Sequence, residues 1–121
     1  MHTVALTRAF ERAAADAGMS EDENQVLVDF LAESPTAGDV MAGTGGCRKV
    51  RIAGRGKGKR GGYRTITFYT GENLPLFLIT VFGKGEKSNL SKSERNRLRD
   101  ITKAIVTKYR SKVAPLARKG A

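Results

Sequence analysis

The residues best suited to chemistry form one basic cluster between positions 48 and 64. Within the cluster, residues 54–62 alternate glycine with lysine and arginine, so backbone amides and cationic side chains can both approach a phosphate closely. A solvated loop tip is the alternative, but crowded cations repel one another unless an anion is bound. The cluster therefore predicts phosphate binding. It contains eight cationic side chains and no acid: Arg48, Lys49, Arg51, Arg55, Lys57, Lys59, Arg60 and Arg64.

The net charge of +10 is divided unevenly along the 121 residues. Residues 1–39 hold eight acids and two bases, a net charge of −6, whereas residues 40–121 hold twenty bases and four acids, a net charge of +16. A basic field of this strength attracts polyanions, and each neutralised phosphate also releases counterions. A basic surface without a specific partner would fit a dispersed charge better. The division therefore favours nucleic acid as the partner and excludes the acidic N-terminal part from the contact.

Other kinds of chemistry have few residues to use. Cys47 is the only cysteine and His2 the only histidine, so we expect no disulfide, metal site or cofactor. No apolar run reaches the roughly 20 residues of a membrane span, and the N-terminus lacks the pattern of a secretion signal. We therefore expect a cytoplasmic protein with no membrane contact.

The acidic part of the chain predicts two helices. Thr7 can cap a helix whose apolar residues recur at helical spacing up to Gly18. Residues 20–23 (SEDE) form a capping box that opens a second helix, which Pro35 ends. We expect this hairpin to cover the sheet with five buried apolar side chains, Phe10, Val26, Leu27, Phe30 and Leu31.

The basic part predicts strands followed by a helix. Residues 47–53 and 63–70 alternate as half-buried strands do, and residues 75–82 are apolar enough for a central strand covered on both faces. The same alternation puts Arg64 on the side of Ile66 and Phe68 unless it lies at a frayed start or a bulge turns it. Between residues 35 and 46 the sequence is turn-like. Residues 91–94 (SKSE) form another capping box, and the helix that follows has an apolar and a basic face.

Together these elements predict an α+β fold in the order β-α-α-β-β-β-α. A small twisted sheet, mostly antiparallel, is packed by an N-terminal helical hairpin and a C-terminal helix, and a short strand at residues 2–6 joins the sheet after the hairpin. We expect one domain over residues 1–114 and a frayed tail over residues 115–121.

Two separate segments resemble the RelE superfamily of bacterial toxins, most closely its HigB-type branch. The first is GGCRKVRI (45–52), followed by the Lys/Gly-rich segment and by GYR (62–64); that branch has a similar insertion ending in G-x-R. The second is VFGKGEKSNLS (81–91), which is similar to the basic segment after the last strand of the family. The resemblance implies a toxin of a type II toxin–antitoxin system that cuts mRNA on the ribosome. Its partners would be mRNA, ribosomal RNA and an antitoxin, often a helix-turn-helix protein.

The chemistry implied is attack of the RNA 2′-hydroxyl on the adjacent phosphate. By position, the resemblance carries catalytic roles onto Lys49, Arg51 and Arg64, and onto Lys84 or Lys87, because the family's arginine in that segment falls on Gly85. The family's tyrosine falls on Ser91, which also caps a helix. RNA contacts are predicted for the remaining cations of the cluster and for an aromatic side chain that can stack on an unpaired base: Arg48, Arg55, Lys57, Lys59, Arg60 and Tyr69.

Two other functions fit parts of this sequence. One is a basic protein that binds RNA or the ribosome without cutting. The other is a gyrase inhibitor of the ParE kind, which shares the fold but lacks the cationic cluster; Lys49, Arg51 and Arg64 argue against it. The sequence does not separate an endoribonuclease from a non-catalytic binder.

Overall fold

A computed structural model describes the backbone of residues 2–52, 62–71, 74–83 and 90–120, and the side chains of these residues as far as Tyr109. Three helices and five strands in these residues form an α+β arrangement, and β2 is additional to the predicted order. The last helix runs to Gly120, through the position of Pro115 at which the sequence predicts a frayed tail. The elements are β1 (Val4–Leu6), α1 (Arg8–Asp16), α2 (Glu21–Glu33), β2 (Asp39–Val40), β3 (Cys47–Ile52), β4 (Tyr63–Phe68), β5 (Leu76–Phe82) and α3 (Lys92–Gly120).

The strands form a single sheet in the order β1-β5-β4-β3-β2. Strands β3, β4 and β5 make the predicted antiparallel meander, and β1 joins beside β5 in parallel. Strand β2 is a correction, because the turn-like sequence of residues 35–46 predicts no strand there. Asp39 pairs with Lys49 and Val40 with Arg48. A strand of two residues is too short for an alternation pattern, so backbone pairing alone defines it.

Hydrogen bonds at the helix starts confirm the three predicted caps. The Thr7 hydroxyl oxygen accepts from the Phe10 amide at 3.0 Å and donates to the Leu78 carbonyl at 2.9 Å, which ties the start of α1 to β5. At α2, Ser20 and Glu23 form a reciprocal capping box. Side-chain acceptors thus satisfy amides that the first turn of a helix leaves without partners.

Helices cover both faces of the sheet. Under α1 and α2, the core contains Leu27, Leu31, Val50, Tyr63 and Leu78, among others. We call this the hairpin face. The opposite face, called here the α3 face, is formed by other residues of the same strands and packs against Leu98 and its apolar neighbours in α3. Strand β5 contributes to both cores, as its apolar sequence predicts.

The predicted burial of α2 is only partly right. Leu27 and Leu31 are fully buried, whereas Val26 and Phe30 are 49% and 42% exposed. Both pairs have the spacing of four residues that marks one stripe of a helix, and the two stripes are one residue, or about 100°, apart. Only one stripe can point at the sheet, so the expectation that all four side chains are buried is wrong.

No helix in the described part of the chain is long and apolar enough to span a membrane.

Candidate functional site

Three cationic side chains share one region of the α3 face. Lys49 and Arg51 lie two residues apart on β3, which places both on the same side of the strand and about 7 Å apart along it. Arg51 pairs directly with Arg64 of β4, and paired residues have Cα atoms about 4.5–5.5 Å apart. We call these three residues the cation row. They therefore occupy adjacent positions on two neighbouring strands.

The cation row shares its side of the sheet with an apolar core. Lys49 pairs with Ile66, which is buried beneath α3. The register of β4 and β5 shifts only after Ile66, between Ile66 and Thr67, so no bulge re-aims Arg64. Lys49 and Arg64 are half-buried and Arg51 is exposed. The row thus lies where this face changes from packed core to solvent.

Two of the proposed RNA-binding residues lie away from the cation row. The Arg48 guanidinium donates to the carbonyls of Thr36 and Gly38 at 3.1 and 3.3 Å, and so ties β3 to the turn before β2. The half-buried Tyr69 follows the other end of β4 and packs against the core of the hairpin face. Its ring meets that of His2 edge-on, with centroids 5.2 Å apart. The structure therefore does not bring either residue together with the row.

The remaining predicted site residues fall outside the described residues, although their connections are known. Residues 53–61 link Ile52 to β4, and Ile52 pairs with Tyr63 next to the cation row. Residues 84–89 follow shortly after Phe82, which pairs with Arg64. The described residues that flank the two segments, Ile52, Tyr63 and Phe82, therefore lie at the same end of the sheet. The residues concerned are Arg55, Lys57, Lys59, Arg60, Lys84 and Lys87.

Ser91, where the family resemblance places a tyrosine, opens α3 as the sequence predicts. The Ser91 amide donates to a Glu94 carboxylate oxygen at 2.8 Å, and the Glu94 amide donates to the Ser91 hydroxyl at 3.1 Å. This reciprocal pair engages the Ser91 side chain at the helix start.

Two titratable groups, Cys47 on the α3 face and Tyr63 on the hairpin face, have raised pKa values. Burial raises the pKa of the Cys47 thiol to about 11, and its hydrogen bond with Thr44 lowers that pKa only in part. Burial also raises the pKa of Tyr63, helped by the negative charge of Glu23 and a hydrogen bond to it at 3.4 Å. Both groups are neutral near pH 7, and a protonated thiol is a poor nucleophile. Within the described residues, no group of three or more His, Cys, Asp or Glu side chains could hold a metal ion.

A cavity of about 230 Å³ next to the cation row was not predicted from the sequence. Its walls include Ile66 and Phe82, which pair with Lys49 and Arg64, and it continues to Ile79 on β5. Arg97 of α3 also lines it. Because the walls come from α1, two strands and α3, no local pattern could have revealed the space. The polar side chains that line it are Thr80, Glu94 and Arg97.

The fold and the cation row define a small α+β protein with three cationic side chains at adjacent positions on one face of its sheet. The family model of the RelE toxin of the RelE/RelB toxin–antitoxin system matches residues 2–121, and the chain belongs to this family. It is therefore a toxin of a type II toxin–antitoxin system. Toxins of this family are generally endoribonucleases that act with the ribosome and are paired with an antitoxin.

Proposed function

We propose that this chain is a ribosome-dependent mRNA endoribonuclease of the HigB type, which cleaves by attack of a 2′-hydroxyl on the adjacent phosphate. The observation that carries the proposal is the cation row. Arg51 and Arg64 lie directly opposite each other on one face of the sheet, and like charges in that arrangement are destabilising. A bound phosphate offsets this repulsion, because both guanidinium groups can donate hydrogen bonds to its oxygens. The row is thus suited to an RNA phosphate.

The reaction needs a proton acceptor, stabilisation of charge on the phosphate and a proton for the leaving 5′-oxygen. Lys49 is the proposed acceptor, because the other two members of the row are arginines, whose guanidinium groups stay protonated in proteins. Arg51 and Arg64 hold the phosphate and stabilise the charge that develops on it. Lys84 or Lys87, in the segment that follows β5 beside Arg64, completes the site where the family has an arginine. The proposed reaction uses no metal or cofactor.

RNA beyond the scissile phosphate is proposed to contact the segment between β3 and β4. Its cations Arg55, Lys57, Lys59 and Arg60 would bind mRNA or ribosomal RNA, and its end at Gly62-Tyr63-Arg64 supports the HigB-type assignment. Arg48 and Tyr69 keep the contacts described above, and the proposed reaction does not use them. The antitoxin would be a helix-turn-helix protein, and the toxin would act in the cytoplasm.

The test is cleavage of a defined mRNA on purified ribosomes, with the toxin freed of metal beforehand. Replacing Lys49, Arg51 or Arg64 singly with alanine should slow cleavage about a hundredfold or more, as expected when a general base or a charge-stabilising donor is lost. Ribosome binding, measured by co-sedimentation, should fall far less, because many other cations contribute to it.

Matched controls remove one lysine and one arginine that lie outside the cation row. Lys103→Ala and Arg12→Ala change exposed residues of α3 and α1 and should leave the cleavage rate within about twofold, as expected of surface substitutions. Thermal unfolding of every variant establishes that the fold is intact. Full activity in a Lys49/Arg51/Arg64 triple alanine variant would show that the site is elsewhere. Ribosome binding without any cleavage by the unmodified protein would favour the non-catalytic alternative.

A further inference from the structure

The cavity beside the cation row has the position of a base-binding site. Paired residues of three neighbouring strands connect the row to the cavity. Arg51 of β3 pairs with Arg64 of β4, and Arg64 pairs with Phe82 of β5, which lines the cavity. Neighbouring strands are about 4.8 Å apart, so a phosphate held by the row lies within one or two strand spacings of the cavity. In a nucleotide, the base and its phosphate are separated by one sugar. A phosphate on the cations would therefore bring its own base to the cavity mouth.

The lining suits an unpaired nucleobase better than a purely apolar ligand. The faces of the cavity are aliphatic and aromatic, which is what the flat surface of a base packs against. The Arg97 guanidinium can donate hydrogen bonds to a base edge, and the Thr80 hydroxyl can donate or accept. Glu94 is held in place by its hydrogen bond from the Ser91 amide and adds a negative charge at the same wall.

We propose that this cavity receives the base of the nucleotide next to the cleaved phosphate, and that Thr80 and Arg97 determine which bases are accepted. The inference rests on the proposed cleavage function, which it deepens by adding base selection to phosphate binding. In this arrangement the cation row binds any RNA backbone, and the cavity supplies the sequence preference.

A binding experiment tests the cavity without requiring catalysis. The full-length protein is labelled at the isoleucine δ1 methyl groups and titrated with the four 2′-deoxynucleoside 3′,5′-bisphosphates, which lack the attacking hydroxyl. Ile66, Ile79 and Ile101 line the cavity, whereas Ile52 and Ile105 do not and serve as internal controls. We expect base-dependent shifts at the first three methyl groups only. The abasic sugar bisphosphate should not reproduce the shifts of Ile79 and Ile101.

Variants at the cavity mouth provide a second measurement. Ala9 is an exposed residue of α1 that lines the cavity, so Ala9→Leu narrows the mouth without disturbing the core. Ala15 is exposed on the same helix and does not line the cavity, which makes Ala15→Leu the matched control. Ala9→Leu should weaken nucleotide binding about 5- to 100-fold, the range expected when base stacking is lost. Ala15→Leu should leave binding unchanged.

The base preference itself is tested at Arg97. Arg97→Gln should change the relative affinities of the four nucleotides, whereas Arg99→Gln, at an exposed residue outside the cavity, should not. Equal shifts from the abasic analogue, or the absence of any isoleucine shift, would overturn the inference while leaving the cation row intact. Base-dependent shifts in a protein that fails to cleave mRNA on ribosomes would support the cavity and reject the proposed function.

Discussion

The two faces of the sheet are built from neighbouring residues of the same strands. At the strand ends beside the cation row, however, they differ in how far their side chains are buried. On the hairpin face, Ile52 pairs with Tyr63, and Tyr63 is buried with Glu23 of α2 against its hydroxyl. The adjacent pair, Arg51 with Arg64, lies on the α3 face, and Arg51 is exposed. Among the described residues, α2 thus covers the hairpin face at this end, whereas Arg51 on the α3 face is exposed to solvent. The cation row lies on this second face.

Charge follows the same division. The hairpin that closes one face lies within the acidic part of the chain, which repels phosphate, whereas the cation row and α3 lie within the basic part. A strongly basic surface orients the approach of a polyanion and raises its local concentration. Substitutions on each face can test how far packing and binding are separated.

The largest loss of stability should come from shortening a side chain in the buried stripe of α2, Leu27 and Leu31. Leu31→Ala removes a fully buried side chain and should lower the free energy of unfolding by about 2–5 kcal/mol, because it leaves a cavity in the core. Phe30→Ala, on the neighbouring residue that is 42% exposed, should cost about 1 kcal/mol or less. Urea unfolding measures both. Equal losses of unfolding free energy in the two variants would contradict the docking of α2 through Leu27 and Leu31.

A smaller effect should come from the contact between α3 and the turn before β3. Gly45 has a φ of +79°, and a β-carbon there would meet the hydroxyl of buried Thr102 in α3. Gly43 has a φ of +76° with open space around it, so Gly43→Ala reproduces the backbone strain without the clash. Gly45→Ala should therefore destabilise the protein by about 1–3 kcal/mol more than Gly43→Ala. Similar thermal unfolding of the two variants would argue against this packing of α3.

The smallest effect on activity should come from Cys47, which shares the α3 face but is fully buried. Cys47→Ala should leave cleavage on ribosomes within about twofold, because the thiol lies in the core and not with the cation row. Its pKa of about 11, against an ordinary value of 9.0, also predicts slow alkylation of the native protein at pH 8. Reaction should speed up about tenfold per pH unit until that pKa is reached.

The same shift fixes the direction of the stability change with pH. The folded protein holds the thiol proton more tightly than the unfolded chain, so this contribution to stability is present below about pH 9 and is lost as the pH rises to about 11. Rapid alkylation of the native protein at pH 8, with the fold intact by circular dichroism, would contradict the burial of Cys47.

Several features of the fold follow from local sequence. The capping boxes at Ser20 and Ser91 need only a hydroxyl and a carboxylate three residues apart, so residue types alone reveal them. Alternation along β3 places Lys49 and Arg51 on one side and Val50 on the other, as observed. The apolar run of β5 predicts a strand covered on both faces.

Other features depend on contacts between distant residues. Sequence spacing could not choose between the stripes Val26/Phe30 and Leu27/Leu31, since both have the same period and only docking on the sheet buries one of them. Arg48 belongs to the basic cluster by sequence, yet its contacts with the Thr36 and Gly38 carbonyls depend on the turn before β2. Pairing across the sheet likewise defines β2.

The sequence by itself determined the charge division, the main elements and the residue types of the cation row, because these depend on composition and on spacing within single elements. Tertiary structure decided that Tyr63 is buried whereas Arg51 is exposed, which apolar stripe of α2 is buried and where the cavity lies. Those outcomes depend on the register of β3 against β4 and on the docking of α3, both of which join residues far apart in the chain. The physical reason is that burial is settled by the elements that pack together, and no single element contains that information.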